Sequence, residues 1–336
     1  MKAGRLWLSI YGAGFLVCFG FLLLTLLTPI PYGDVTRVGR ISEAEFRAHR
    51  AHPDIDPATL VDSPIGAADI LVIGDSFSIR WVWQSLLVKA GYKVVTTHWD
   101  KSGPLCADFG AWLQRSGFKG KLVIVESIER LLPERLNEAS QCATMQGSFE
   151  AIPRATPLSP EDVPPSWLGL NWSAEWASGW LTWQHTRTIK RATSEVVFDH
   201  PRWGELIVAR PLPDGCKQFS NRLCDKGLFL VDDVHNPELT AASVASMQRI
   251  SAHAAPVHVV WMVVPNKTTV YTMPNHAKAF VQAFDAARLG PDLFGFATEA
   301  KSRIVDLYSP NDTHLSLAGY LAFGEQVLNA VKKVDP

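Results

Sequence analysis

"ILVIGDSFSIRW", residues 70–81, runs four apolar residues into Gly74-Asp75-Ser76 and then reopens with apolar residues at helical spacing. A short, continuous apolar run marks a strand covered on both faces, and such strands belong to parallel sheets. Glycine ends the run, and an acid and a hydroxyl stand at the turn. Two readings compete there: a plain strand-to-helix loop, and a corner that presents Ser76 as a nucleophile. A helix beginning just after Ser76 would aim free backbone N–H groups and its positive dipole end at that hydroxyl. Such donors can hold the oxyanion of a tetrahedral intermediate.

The same alternation extends outward from this stretch. "YKVVTT" (92–97), "KLVIVESI" (121–128), "VHVVWMVVP" (257–265) and "RIVDLY" (303–308) read as further strands. "SIRWVWQSLLVKAG" (78–91), "NHAKAFVQAFDAARLG" (275–290) and "LSLAGYLAFGEQVLNAVKKV" (315–334) have helical periods. Strands alternating with helices predict βαβ units, a parallel sheet and an α/β fold of three layers, an α/β/α sandwich. In such sheets the ligand site lies outside the carboxyl ends of the strands.

A base for Ser76 is therefore expected on that rim. "YSPNDTHLSLAGY" (308–320) supplies Asp312 and His314, between a predicted strand and the last helix. Side chains two apart in an extended loop point the same way. The acid can then fix the imidazole's tautomer and favour the imidazolium formed when it takes a proton. Catalytic Ser76, His314 and Asp312 are the parts of an activated nucleophile. Taken singly, Gly-Asp-Ser reads as a turn and Asp-x-His as a helix cap; together, at two strand ends of one domain, they point to catalysis. His98 in "TTHWD" is the rival base, with only Asp100 spaced to orient it.

The rest of the chain sets the surroundings. A balance of 32 Lys+Arg against 33 Asp+Glu, net −1, gives no field to draw in nucleic acid, so no nucleic-acid partner is expected. Hydrophobic content of 47% describes a packed globule. Residues 6–28 carry no charge and exceed the roughly 20 residues that cross a bilayer. Lys2 and Arg5 precede them, which predicts a single-pass anchor (1–28) in the cytoplasmic membrane with the remainder facing the periplasm; a signal peptide with an unrecognised cleavage site is the competing reading. Residues 29–68 read as a tether, and 69–336 as the α/β domain, interrupted at about 133–255 by a proline- and tryptophan-rich insertion or cap. Trp172, Trp176, Trp180 and Trp183 fall on one helical face there. Buried packing is the plain account; a sugar-stacking or membrane-interface face is the alternative.

Outside the anchor's Cys18, four cysteines permit three pairings. Cys216 and Cys224 bracket the polar loop "CKQFSNRLC" and are the easiest to close, which leaves Cys106 with Cys142. No zinc-ligand spacing appears, so neither metal nor cofactor is expected.

At "GDSFS" (74–78) and "NDTHLSLAGY" (311–320) the sequence resembles the SGNH/GDSL hydrolase superfamily, whose first and last blocks carry the nucleophile and the Asp and His. "VIVESIERLL" (123–132) and "VVPNKTTVY" (263–271) are similar to stretches of its exported acetyltransferase-like branch, which includes proteins that O-acetylate alginate. The likeness covers roughly 69–132 and 257–334. It implies a serine O-acyltransferase or carbohydrate esterase, a polysaccharide substrate, and a membrane acyltransferase partner that supplies the acyl group. A non-catalytic glycan-binding scaffold is the alternative. In the alginate branch the Asp-x-His element precedes the serine, whereas here Ser76 comes first. Ordinary members would place the acid at Asn311; we assign Asp312, because an amide cannot stabilise imidazolium by charge. The superfamily's Asn block has no counterpart at the end of "KLVIVESIER". Its Gly block falls at Gly103, which would join the Ser76 N–H in the oxyanion hole. Arg130 and Lys267 sit past strand ends, where they would grip a polyanionic glycan or hold a loop by ion pairing.

Overall fold

The computed structural model describes residues 2–159, 176–199, 204, 206–235 and 237–334. The described residues contain seven strands: β1 (Ile70–Gly74), β2 (Val94–His98), β3 (Leu122–Ile128), β4 (Val196–Asp199), β5 (Leu206–Pro211), β6 (Lys226–Leu230) and β7 (His258–Val264). The chain divides into two compact units. One comprises Arg50–Ser159, Asp232–Tyr308 and His314–Pro336; the other comprises Met1–His49, Pro160–Val231 and Ser309–Thr313.

The first of these holds a four-stranded, wholly parallel sheet in the order β2-β1-β3-β7. Every residue of β1 and β3 is buried, as the continuous apolar runs predict for strands covered on both faces. Leu71, Ile73, Val123, Val125, Trp261 and Val263 join one large core with Phe109, Trp112, Met247, Phe280 and Phe284 from the helices Phe109–Arg115, Ala241–His253 and Lys278–Ala287. The helices Gln84–Lys89 and Leu317–Val334 pack on each other, with Trp83, Tyr320, Phe323 and Val327 buried on or beside them. Cys106 pairs with Cys142, closing 36 residues, an interval for which loop-closure entropy gives about 4 kcal/mol.

β2 lies on one side of β1, while β3 and β7 lie on the other. Successive connections thus leave β1 in opposite directions, which makes its carboxyl end a topological switch point and the expected place for a ligand. Ser76 stands two residues beyond that end.

Two local expectations fail. The helix placed directly after Ser76 starts only at Gln84. Residues 76–80 are turns, and Trp81 adopts φ +58°, a left-handed conformation that a helix cannot continue through. "RIVDLY" is not a strand either. The N–H groups of Arg303 and Ile304 both donate to the Ala300 carbonyl, prolonging the helix Leu293–Ala300 as turns, and Asp306 sits at φ +56°. A short apolar run does not distinguish these outcomes.

The other unit contains the N-terminal helix Lys2–Leu27, whose most apolar 18-residue stretch has a mean hydropathy of 2.3; among the described residues it is the one helix long and apolar enough to cross a membrane. It also contains an antiparallel sheet β4-β5-β6 and the Cys216–Cys224 disulfide. Residues 29–49 are not a free tether here. Val35, Val38, Ile41 and Phe46 are buried against Ile189, Ile207, Ala209 and Leu228; they come from the short helices Asp34–Gly39 and Glu43–Phe46 and the break between them. The stretch 133–255 is likewise no uniform cap, since its flanks 133–159 and 232–255 group with the parallel sheet and only 160–231 with this unit. Trp172 lies outside the described residues.

Candidate active site

The turn after β1 is held by a buried charge network. The Asp75 N–H donates to Glu126 Oε2 at 2.8 Å, and the Ser78 hydroxyl donates to the same oxygen at 2.7 Å. The Asp75 carboxylate accepts from the N–H of Phe77 (3.1 Å) and of Ile128 (2.9 Å), and from Arg135 Nη1 at 2.8 Å. Arg135 also donates to the Ser127 hydroxyl at 2.6 Å and lies over the Trp99 ring, 4.8 Å from its centroid. A Cβ added to Gly74 would meet Ser78 Oγ at 2.2 Å, so only glycine lets the strand end this close to the network. The acid at the turn is therefore a bracket that ties the end of β1 to the end of β3. It is not part of the reacting set.

Two adjacent carboxyls share this site, and their environments push them apart. Burial alone would raise Asp75, but the Arg135 charge and the hydrogen bonds from Ile128, Arg135 and Phe77 outweigh it and hold the carboxyl below its ordinary range. Burial and then the neighbouring Asp75 charge drive Glu126 well above its ordinary value, so Glu126 keeps its proton. Sequence reasoning missed Glu126 and Arg135 as supports of the turn; the available signal was a lone acid inside the otherwise apolar strand "LVIVESI". Arg135→Met would leave Asp75 as an uncompensated buried charge, a change that costs about 3–5 kcal/mol. Chemical denaturation of the purified variant measures it, and a loss below about 1 kcal/mol would remove this network from the account.

Ser76 Oγ lies 2.7 Å from His314 Nε2, across 238 residues of chain. Both side chains are half-buried. The Phe77 ring sits 4.6 Å from the imidazole, centroid to centroid. The chain around His314 is held by the β-bridge of Tyr308 with Leu315 and by the Ser316 hydroxyl, which accepts from the Gly319 N–H at the start of the last helix. His98, the rival base, is engaged elsewhere. Its Nδ1 accepts from the Asp100 N–H at 3.1 Å and lies 3.3 Å from the Asp100 carboxylate.

Asp312 belongs to the short segment Ser309–Thr313, which groups with the other unit. It is buried, and its Oδ2 accepts from the Asp34 N–H at 3.0 Å. Asp34, unmarked in the sequence, also accepts from the Thr313 N–H at 2.7 Å and from the Thr313 hydroxyl. Asn311 is committed to Glu43, donating from Nδ2 to Oε1.

The remaining sequence candidates move. Gly103 does have the positive φ, +68°, that favours glycine, but its N–H donates to the Trp99 carbonyl at 2.8 Å and is not free for an oxyanion. The helix dipole expected behind Ser76 is absent for the reason given above. The Ser76 N–H makes no backbone hydrogen bond among the described residues. Arg130 is an ion-pair residue, 3.3 Å from the buried Asp233 carboxylate, and Lys267 is fully buried. Neither is placed to grip an extended glycan.

Next to Arg130, Glu129 is buried and accepts from the Asn266 N–H and the Thr269 hydroxyl. Burial, set against those bonds, pushes it up from its ordinary 4.5 to about 7. The folded chain thus holds a proton there that the unfolded chain has released. Its contribution is intact below pH 4.5 and is lost as pH rises toward 7, a change of about 3 kcal/mol. Urea midpoints at pH 5 and 7.5 should fall more for the wild type than for Glu129→Gln; parallel profiles would contradict this.

No family model, no curated protein and no solved structure matches this chain.

Proposed function

We propose that the chain is a membrane-anchored, SGNH-type serine acyltransferase, a three-layer α/β/α sandwich in its catalytic part. It moves O-acetyl groups onto a cell-surface polysaccharide on the periplasmic side of the cytoplasmic membrane. The observation that carries the reading is the Ser76–His314 hydrogen bond at a sheet switch point, since a hydroxyl paired with an imidazole at 2.7 Å is within reach for general-base activation.

In this reading His314 Nε2 takes the Ser76 proton as Oγ attacks the ester carbonyl. Asp312, two residues away in sequence and buried, holds the imidazole's tautomer and stabilises the imidazolium. The Ser76 N–H is the oxyanion donor. Collapse of the tetrahedral intermediate breaks the ester C–O bond, and His314 returns the proton to the departing alcohol. A sugar hydroxyl, deprotonated by His314, then attacks the acyl-serine and frees Ser76. The acyl donor arrives across the membrane from a membrane acyltransferase partner. Water in place of the sugar makes the same site an esterase.

A glycan-binding scaffold is the second reading. It is favoured by the engaged Gly103 N–H, which leaves the oxyanion hole with fewer donors. Incubating the full chain in nanodiscs with an acetyl-ester donor and oligosaccharides separates the three. Acetyl on sugar marks a transferase, free acetate alone an esterase, and neither product the scaffold.

A further inference from the structure

The tryptophans left over by this reading sit against the long apolar helix Lys2–Leu27. Thr25, near the carboxyl end of Lys2–Leu27, donates its hydroxyl to the Trp176 carbonyl at 2.7 Å and accepts from the Gly179 N–H at 3.2 Å. A Cβ on Gly179 would meet Thr25 Cα at 2.7 Å, so glycine is what allows the backbones to approach. The Phe21 ring contacts Trp176 and Trp180 edge-on, at centroid distances of 5.5 and 5.7 Å. The helix Ser178–Arg191 thus docks on the last turns of the apolar helix.

This docking helix is two-faced. Gly179, Thr182, Thr186 and Ile189 are buried. Trp176, Trp180 and Trp183 remain 59%, 37% and 43% exposed, so buried packing does not account for them. Trp180 stacks on Trp183 at 4.8 Å, and the Arg187 guanidinium lies 4.9 Å over the Trp183 ring. Arg191 follows one turn on. Exposed indole rings backed by arginines are the composition of an interfacial helix, with rings among headgroups and cations reaching lipid phosphates.

Length places them at the right depth. At about 1.5 Å per residue, a hydrocarbon core of about 30 Å takes about 20 residues. Counted from Leu6, the first residue after Arg5, those residues end at Thr25, the docking point itself. We propose that Ser178–Arg191, led by Trp176, is a second membrane-contacting element that lies in the headgroup region of the bilayer crossed by Lys2–Leu27. Its partner is lipid, and the two elements together fix the orientation of their unit on the membrane.

The proposal rests on the apolar helix spanning the bilayer, and Cys18, the free and exposed cysteine within that helix, reports on this separately. The other four cysteines are paired, so thiol labelling is selective. The full chain is reconstituted in nanodiscs with an environment-sensitive fluorophore at Cys18 or, in a Cys18→Ser background, at Trp180→Cys, Trp183→Cys or Thr188→Cys. Lipids brominated near the headgroup or deep in the chains serve as quenchers. Deep bromines should quench the Cys18 label. Shallow bromines should quench the labels at 180 and 183 about twofold more than the label at exposed Thr188. Equal quenching at all three overturns the interfacial helix while leaving the anchor standing. An unquenched Cys18 label overturns both. Protection of the 180 and 183 labels by oligosaccharide and not by lipid assigns the face to glycan and overturns the proposal. Two independent positions guard against one variant misfolding, and intact disulfides verify the fold of each.

Discussion

Ser76→Ala is expected to lower turnover of an acyl ester by about 10⁶ in kcat, the scale of loss when a serine nucleophile is removed from a paired histidine. In the proposed mechanism the hydroxyl is the attacking group, so its removal deletes the acyl-serine step outright and leaves only binding and the backbone donor. His314→Ala should cost a similar factor, and the double variant little more, because the two residues act as one unit. The fold should not register the change. Ser76 is half-buried and its hydroxyl meets His314 rather than the core, so denaturation midpoints should stay within about 0.5 kcal/mol. An alanine variant that keeps more than a hundredth of wild-type kcat would place the chemistry elsewhere. A variant that loses both activity and folding would identify Ser76 as part of the turn's architecture.

Asp312→Asn carries the second-largest expected effect, about 10⁴ in kcat, the loss seen when an amide replaces the orienting acid of a triad. The substitution is nearly isosteric. An asparagine oxygen can still accept from the Asp34 N–H that Asp312 Oδ2 now binds at 3.0 Å, so the local fold should persist. What is lost, in the proposed mechanism, is the negative charge that stabilises imidazolium. Asn311 offers the contrast. It donates to Glu43, whose carboxyl is raised by burial, so Asn311→Ala should reduce stability while sparing kcat in the molecules that fold. A kcat for Asp312→Asn within tenfold of wild type would remove Asp312 from the triad.

Legibility followed from how local each signal was. The parallel sheet was readable because its strands are short apolar runs between turns, and burial on both faces is what such runs require. The disulfide pairs were readable for the same reason, since loop length and cysteine count left few choices. The pairing of Ser76 with His314 was inferred from two turn-like motifs near opposite ends of one domain, and the two side chains do meet. Of the supports of that pair, only Glu126 left a trace in the sequence, as an acid inside an apolar strand. Arg135 reaches Asp75 from a helix 60 residues on, and Glu126 gives no periodic signal inside a strand. The helix placed after Ser76 failed because apolar spacing in "SIRWVW" is equally served by turns once Gln84 Nε2 donates to the Ser78 carbonyl at 2.7 Å and Trp81 turns left-handed. Residues 29–49 looked like a tether because prolines and charges interrupt their apolar residues, although Val35, Val38, Ile41 and Phe46 are core-facing. The tryptophan face was visible as a pattern, but its neighbour, the end of the apolar helix, is about 150 residues earlier in the chain.

The most direct measurement is covalent capture of the proposed nucleophile, Ser76. The full chain in nanodiscs is treated with a fluorophosphonate, digested and mapped by mass spectrometry, alongside Ser76→Ala and His314→Ala. One phosphonyl group on the peptide containing Ser76, absent from Ser76→Ala and slowed at least a hundredfold in His314→Ala, is the predicted result. A wild-type chain that stays unmodified at millimolar reagent, or one that is modified equally well without Ser76, would contradict the account.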